Sequence, residues 1–109
     1  MIHVINVVEK AHEISTAWSP IDVIQVNDQV LRLALFDGTF CWHRHEKEDE
    51  LFYVVKGQIL IQLKGQPDIT LSEGEMAVIP KNVEHCPKSV KPSYVLMFEP
   101  LTLQSKGDP

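Results

Sequence analysis

Cysteine is scarce: Cys41 and Cys86 are the only two in 109 residues. They allow at most one bridge, which excludes a disulfide-stapled scaffold. Basic charge is also short, with 10 Lys and Arg against 15 Asp and Glu and a formal net charge of -5. A nucleic-acid module needs a basic face to neutralise phosphates, and an anionic membrane surface asks for the same, so neither partner is expected. Long apolar runs are missing, and none approaches the roughly 20 residues of a spanning helix. Residues 1–10 lack a basic leader, and His3, Asn6 and Glu9 break their apolar stretch. No secretion signal is read there, and a cytoplasmic location is expected. Internal repeats and low-complexity segments are lacking too.

What remains is an ordinary globular composition, 44% hydrophobic and 23% charged, which excludes general disorder. The length fits one domain, expected as an N-terminal arm over 1–20, a barrel over 21–100 and a polar, frayed tail over 101–109. Short β-rich runs follow one another at 22–26, 29–36, 39–45, 51–55, 58–63, 68–71, 76–79 and 94–98. Turn pairs such as Asn27-Asp28, Asp37-Gly38 and Lys56-Gly57 punctuate them. Short strands at this spacing predict an all-β, antiparallel sandwich or barrel. Asp37-Gly38 is the strongest short hairpin signal among these pairs. Nothing between the runs is long enough for a crossover helix. Only residues 6–17 could hold a helix, on a rough face of Val7, Val8, Ala11, His12 and Ile14. The runs 51–55 and 94–98 are apolar on both faces, so each is expected to be covered twice: by the interior, and by a second layer or subunit. A homodimer that shields the sheet edges follows as an expectation.

Of the five histidines, His3 and His12 stand alone and read as surface or packing residues. His43 and His45 lie two apart in a predicted strand, so both imidazoles share one face. The acidic stretch Glu46-Lys47-Glu48-Asp49-Glu50 follows at once, and His85 comes later, after Pro80. Three imidazoles and one carboxylate from that stretch would form a set suited to Fe, Mn, Co, Ni or Zn as divalent ions. The bland alternative is a weak H-x-H pair beside a solvated acidic loop.

Two motifs carry a resemblance. Gly38, four residues, His43-x-His45, four residues, Glu50, six residues and Gly57 is similar to the first motif of the cupin superfamily, in which five residues follow the glycine. Gly74, Pro80, Asn82, His85 and Ser89 resemble the second, with Asn82 replacing a glycine and Ser89 an asparagine. Asn is the residue that best tolerates the left-handed turn a glycine would supply. The resemblance implies a cupin-type double-stranded β-helix (jelly-roll) barrel. It also implies His43, His45, Glu50 and His85 as ligands to one divalent transition metal per chain, and so selects Glu50 over Glu46, Glu48 and Asp49.

By strand alternation Cys41 shares the face of His43 and His45, as a substrate contact or a small buried hydrophobe. Phe52 and Val54 share the parity of Glu50 and are expected to narrow the pocket. Met76 or Val78, and Tyr94 or Phe98, are candidate walls. Tyr53 and Tyr94 are the only phenols, read as core aromatics or a site acid or base. Trp18, Trp42 and Cys86 read as packing. No catalytic base is identified, and no Arg or Lys cluster suits a phosphosugar. The expectation is a metalloenzyme of dioxygenase, lyase or isomerase type acting on a small organic molecule. A small-molecule-binding or sensor cupin without catalysis is the alternative.

Overall fold

A computed structural model describes residues 1–108; of the expected tail, Pro109 lies outside the described residues. A six-residue helix, α1 (Val7–His12), precedes seven strands: β1 (Ile21–Val26), β2 (Gln29–Thr39), β3 (Glu50–Lys56), β4 (Gln58–Leu63), β5 (Gln66–Ser72), β6 (Met76–Ile79) and β7 (His85–Pro100). Asn6 caps α1 by accepting the Glu9 N–H at 3.0 Å, and Ala11 is its one buried residue. The helix is thus real but shorter than the 6–17 window.

β7 organises the sheet. One of its edges pairs with β2 along nearly its whole length. Its other edge pairs with β4 through His85–Lys88 and with β3 through Tyr94–Phe98. The strand order is β1-β2-β7-β3-β6, with β4-β5 branching from the first half of β7. All six strand ladders are antiparallel, as expected, only the isolated Ala17–Leu35 bridge among the described residues being parallel, and the sheet does not close into a ring. The interior between the two wings is apolar, built on Ala34, Phe36, Phe52, Val54, Ile59, Ile61, Val95 and Met97. β3 shows the cause in its sequence: Glu50, Phe52 and Val54 alternate inward while Leu51, Tyr53 and Val55 are half-buried outside, the period-2 pattern of a pleated strand.

Two expectations change. Asp37-Gly38 makes no hairpin: β2 runs on to Thr39, and the register shifts between Phe36, opposite Ser93, and Gly38, opposite Ser89. Gly38 has φ 80 there, the conformation of a bulge rather than a reversal. Residues 40–45 are not a regular strand either; only an isolated bridge joins His43 to His85. Ser89 lies within β7, and its hydroxyl is 3.0 Å from Gln58 O and 2.9 Å from Ser93 Oγ. That buried knot ties β7 to the β3–β4 turn, where a Cβ on Gly57 would overlap Ser93 Oγ. The motif glycine is therefore required by space as well as by its φ of 99.

Candidate metal centre

The four candidate ligands come from three segments that the backbone fastens together. His43 and His85 exchange both main-chain hydrogen bonds, at 3.0 and 2.9 Å. The His45 carbonyl accepts the Asn82 N–H at 2.7 Å. Asn82 has φ 66, so the second motif's turn does use the left-handed conformation that its residue type tolerates. Asp49 accepts the Lys81 N–H at 2.8 Å, pinning the same turn to the acidic loop. Glu50 opens β3 beside Ile79 of β6.

The side chains converge. One ligand atom each from His43, His45, Glu50 and His85 lies within 4.8 Å of every other, and all four residues are buried. Metal–ligand bonds of about 2.1 Å place cis donors about 3.0 Å apart and trans donors about 4.2 Å apart. His45 Nε2 at 3.3 Å and His85 Nε2 at 3.8 Å from Glu50 Oε1 fall in that window. These three atoms are buried and make no hydrogen bond. Unpaired buried polar atoms are costly, and a cation among them would satisfy all three. The residues therefore fit a divalent metal.

The remaining ring nitrogens explain the aim. His43 Nδ1–H donates to Cys41 O and His85 Nδ1–H to Val83 O, both at 2.9 Å. Such bonds fix the tautomer and turn Nε2 towards the centre. Burial pushes the His43 imidazole below its usual pKa, outweighing its bond to Cys41 O, so it stays neutral and able to ligate. Burial also pushes the Glu50 carboxyl up, but His45 and His85 outweigh it and hold it down to about 2. Glu50 therefore has no proton to displace near neutrality, and the His43 imidazole has none on the nitrogen it turns to the centre.

A cavity of about 20 Å³ opens on His43 and Glu50, room for one or two waters. Phe52 lines it, as expected. The other sequence candidates do not. Cys41 is exposed, because chain irregularity before His43 breaks the alternation; its carbonyl serves the site and its thiol does not. Tyr94 is half-buried on the opposite face of β7 from Val95 and lines no part of this cavity. Met76, Val78 and Phe98 stand exposed on the outer face at 58%, 53% and 38%.

Sequence reasoning missed Trp18 and Phe40, which line the cavity and stack with ring centroids 4.8 Å apart. Trp18 has φ 61 and is anchored by Nε1–H to Asp37 O at 2.9 Å; nothing periodic in the arm marks it. Glu99 was also missed, although it sits at inward parity with Val95 and Met97. It is 1% exposed and receives Arg32 Nη1–H at 2.8 Å. Burial and the Glu50 charge nevertheless push the Glu99 carboxyl up to about 9, against the pull of Arg32.

An open β-sandwich with a buried three-histidine, one-glutamate cluster defines a class of small β proteins with a metal-ready interior. The cupin domain model matches residues 36–99, and the chain belongs to the cupin family. It is similar to an uncharacterised Bacillus subtilis protein, YdbB, at 34% identity over 77% of this chain and 74% of that one. A cupin-2 domain containing protein from Shewanella frigidimarina shares 39% identity at TM-score 0.86, covering 89% of this chain and 94% of that one. A hydroquinone 1,2-dioxygenase from Sphingomonas sp. TTNP3 shares the fold alone: 18% identity, TM-score 0.83, 90% of this chain and 32% of that one.

Proposed function

We propose that the chain binds one divalent transition metal through His43, His45, Glu50 and His85 and is a metalloenzyme for a small organic molecule. The observation that carries this reading is the set of buried, unpaired donor atoms converging beside a cavity. A bound ion would supply Lewis acidity or, if iron, dioxygen chemistry. The chain's own residues exclude bulk water, with Trp18, Phe40 and Phe52 walling the donor set. No Lys, Arg or Tyr lines that cavity, which disfavours a phosphorylated substrate.

Oxidoreductase, lyase and isomerase chemistry are the reaction classes proposed. The same lack of an acid–base side chain apart from the donors favours a second reading, a ligand-binding cupin without turnover. Fe(II)-loaded protein tested against catechols, diketones, thiols and sugars separates the two: oxygen uptake or product supports the enzyme, and tight binding without turnover supports the sensor.

The outer face supports a homodimer. Ile24, Leu31, Phe98, Leu51 and Val78 stand opposite one another in register across β1, β2, β7, β3 and β6. An apolar row of this kind, partly exposed, calls for a cover, and a second copy is the proposed one. Light scattering that gives a single-chain mass would reject it. A cytoplasmic location is proposed with it, where a reducing environment suits the two free cysteines, Cys41 and Cys86.

A further inference from the structure

His45 differs from its two partner histidines. His43 and His85 each place Nδ1–H on a backbone carbonyl. His45 Nδ1 is buried and has no hydrogen-bond partner, in a residue only 3% exposed. Its Nε2 already faces Glu50. Carboxylate oxygens of Glu48 and Asp108 and a ring nitrogen of His45 lie within 4.8 Å of one another. Each of these carboxylates is held through one of its two oxygens: Thr102 Oγ1–H donates to Glu48 Oε2 at 2.7 Å, and the Glu46 N–H donates to Asp108 Oδ2 at 2.6 Å. The second oxygen of each is left for another donor.

The segment that brings Asp108 here is fastened to the ligand loop. The Asp108 N–H donates to Arg44 O at 3.0 Å, and Leu103 is buried. Gly107, at φ 88, lies so close that a Cβ would meet His43 Cβ at 2.7 Å and Arg44 O at 2.9 Å. Residues 101–108 therefore form a strap over the His43–Glu50 loop, where the sequence suggested a frayed tail.

We propose that Glu48 and Asp108 are positioning residues: together they receive the His45 Nδ1–H, directly or through one water, and so hold His45 Nε2 towards the metal. The inference rests on the metal-binding reading above. Its physical basis is general. A ligating histidine donates its other N–H to a carboxylate or carbonyl, and metal binding makes that N–H a stronger donor. Two carboxylates so close repel each other, and a shared proton donor between them relieves this. A second cation held by the same three groups would require His45 to lose both ring protons, so the hydrogen-bonded arrangement is favoured.

The test compares wild type with the double variant Glu48→Gln/Asp108→Asn. The amides retain an oxygen for Thr102 and for the Glu46 N–H, so the strap stays fastened while the charge is lost. Zinc affinity is read by chelator competition, the metal-free Tm by calorimetry, and the His45 Nδ1–H by nitrogen-15 NMR of the zinc-loaded proteins. The expected result is about a 10–100-fold weaker zinc Kd, a metal-free Tm within a degree or two, and loss of the downfield His45 Nδ1–H signal. Equal zinc affinity in both proteins overturns the proposal while leaving the metal site intact. A second zinc bound by wild type alone also overturns it, in favour of a cation at Glu48 and Asp108. No zinc binding by wild type overturns both this proposal and the reading it rests on.

Discussion

His43 and His85 exchange both of their backbone hydrogen bonds, and their ring centroids lie 4.3 Å apart. The main chain alone thus brings two imidazoles from distant motifs to one point. Three donor atoms at that point are left unpaired in the interior. Metal removal therefore costs more than a ligand: it returns an unsatisfied polar cluster to the core. With free metal at about 100 times Kd, binding contributes about 2.7 kcal/mol, or about 10 °C in Tm for a chain of this size. Calorimetry with and without chelator checks this, and an unchanged Tm counts against the site.

Asn82 links turn conformation to ligand placement, since its φ is 66 and its N–H holds His45 O. Asn82→Gly should leave stability within about 0.5 kcal/mol, because glycine adopts this backbone freely. Asn82→Val should cost about 1–2 kcal/mol for the left-handed conformation, with weaker metal binding alongside. Urea denaturation of the two variants checks the difference, and equal stability would contradict it.

Glu99 makes the metal-free protein sensitive to pH. Its carboxyl rises on folding from an ordinary 4.5 to about 9. A raised pKa contributes stability fully below the unfolded value and loses it as pH climbs through the folded one. The metal-free Tm should therefore fall as pH rises from about 5 to about 9. Glu99→Gln, which keeps an acceptor for Arg32 and cannot ionise, should flatten that slope. Glu99→Ala should cost about 1.5–3 kcal/mol, the loss of a hydrogen bond to a charged group. A parallel slope in wild type and Glu99→Gln would refute the assignment.

The two thiols should react very differently. Cys86 is 1% exposed and burial pushes its thiol up, whereas Cys41 is exposed. A thiol reagent at pH 8 should modify one cysteine quickly and the second only on unfolding. Cys41→Ser should abolish the fast phase and retain the metal. Lost metal in that variant would restore the thiol to the site.

Much of this was legible in the sequence because local period and motif spacing carry it. Glu50, Phe52 and Val54 alternate inward as the strand pattern requires, and the two motifs point to the same four donors that the structure gathers. What failed did so where the chain departs from a regular strand. Parity counted back from His43 misplaced Cys41 because residues 40–45 are not paired as a ladder. Asp37-Gly38 looked like a reversal, yet the long β7 partner absorbs it as a bulge. Trp18 and Asp108 reach the site from segments before and after the regular strands, whose placement depends on tertiary contacts such as Trp18 Nε1–H to Asp37 O and Glu46 N–H to Asp108. Glu99 left a signal, an acid at inward parity in an apolar run, but its meaning required knowing that Arg32 stands beside it on the neighbouring strand β2.

The most direct measurement is the metal content of untagged protein purified without added metal, by elemental mass spectrometry, beside His85→Ala. The variant keeps the main-chain pair with His43 and loses one of four donors. Near-stoichiometric iron, manganese, nickel, cobalt or zinc in wild type, lost in His85→Ala, is the predicted result. Absence of metal from both, even after reconstitution, would contradict the account.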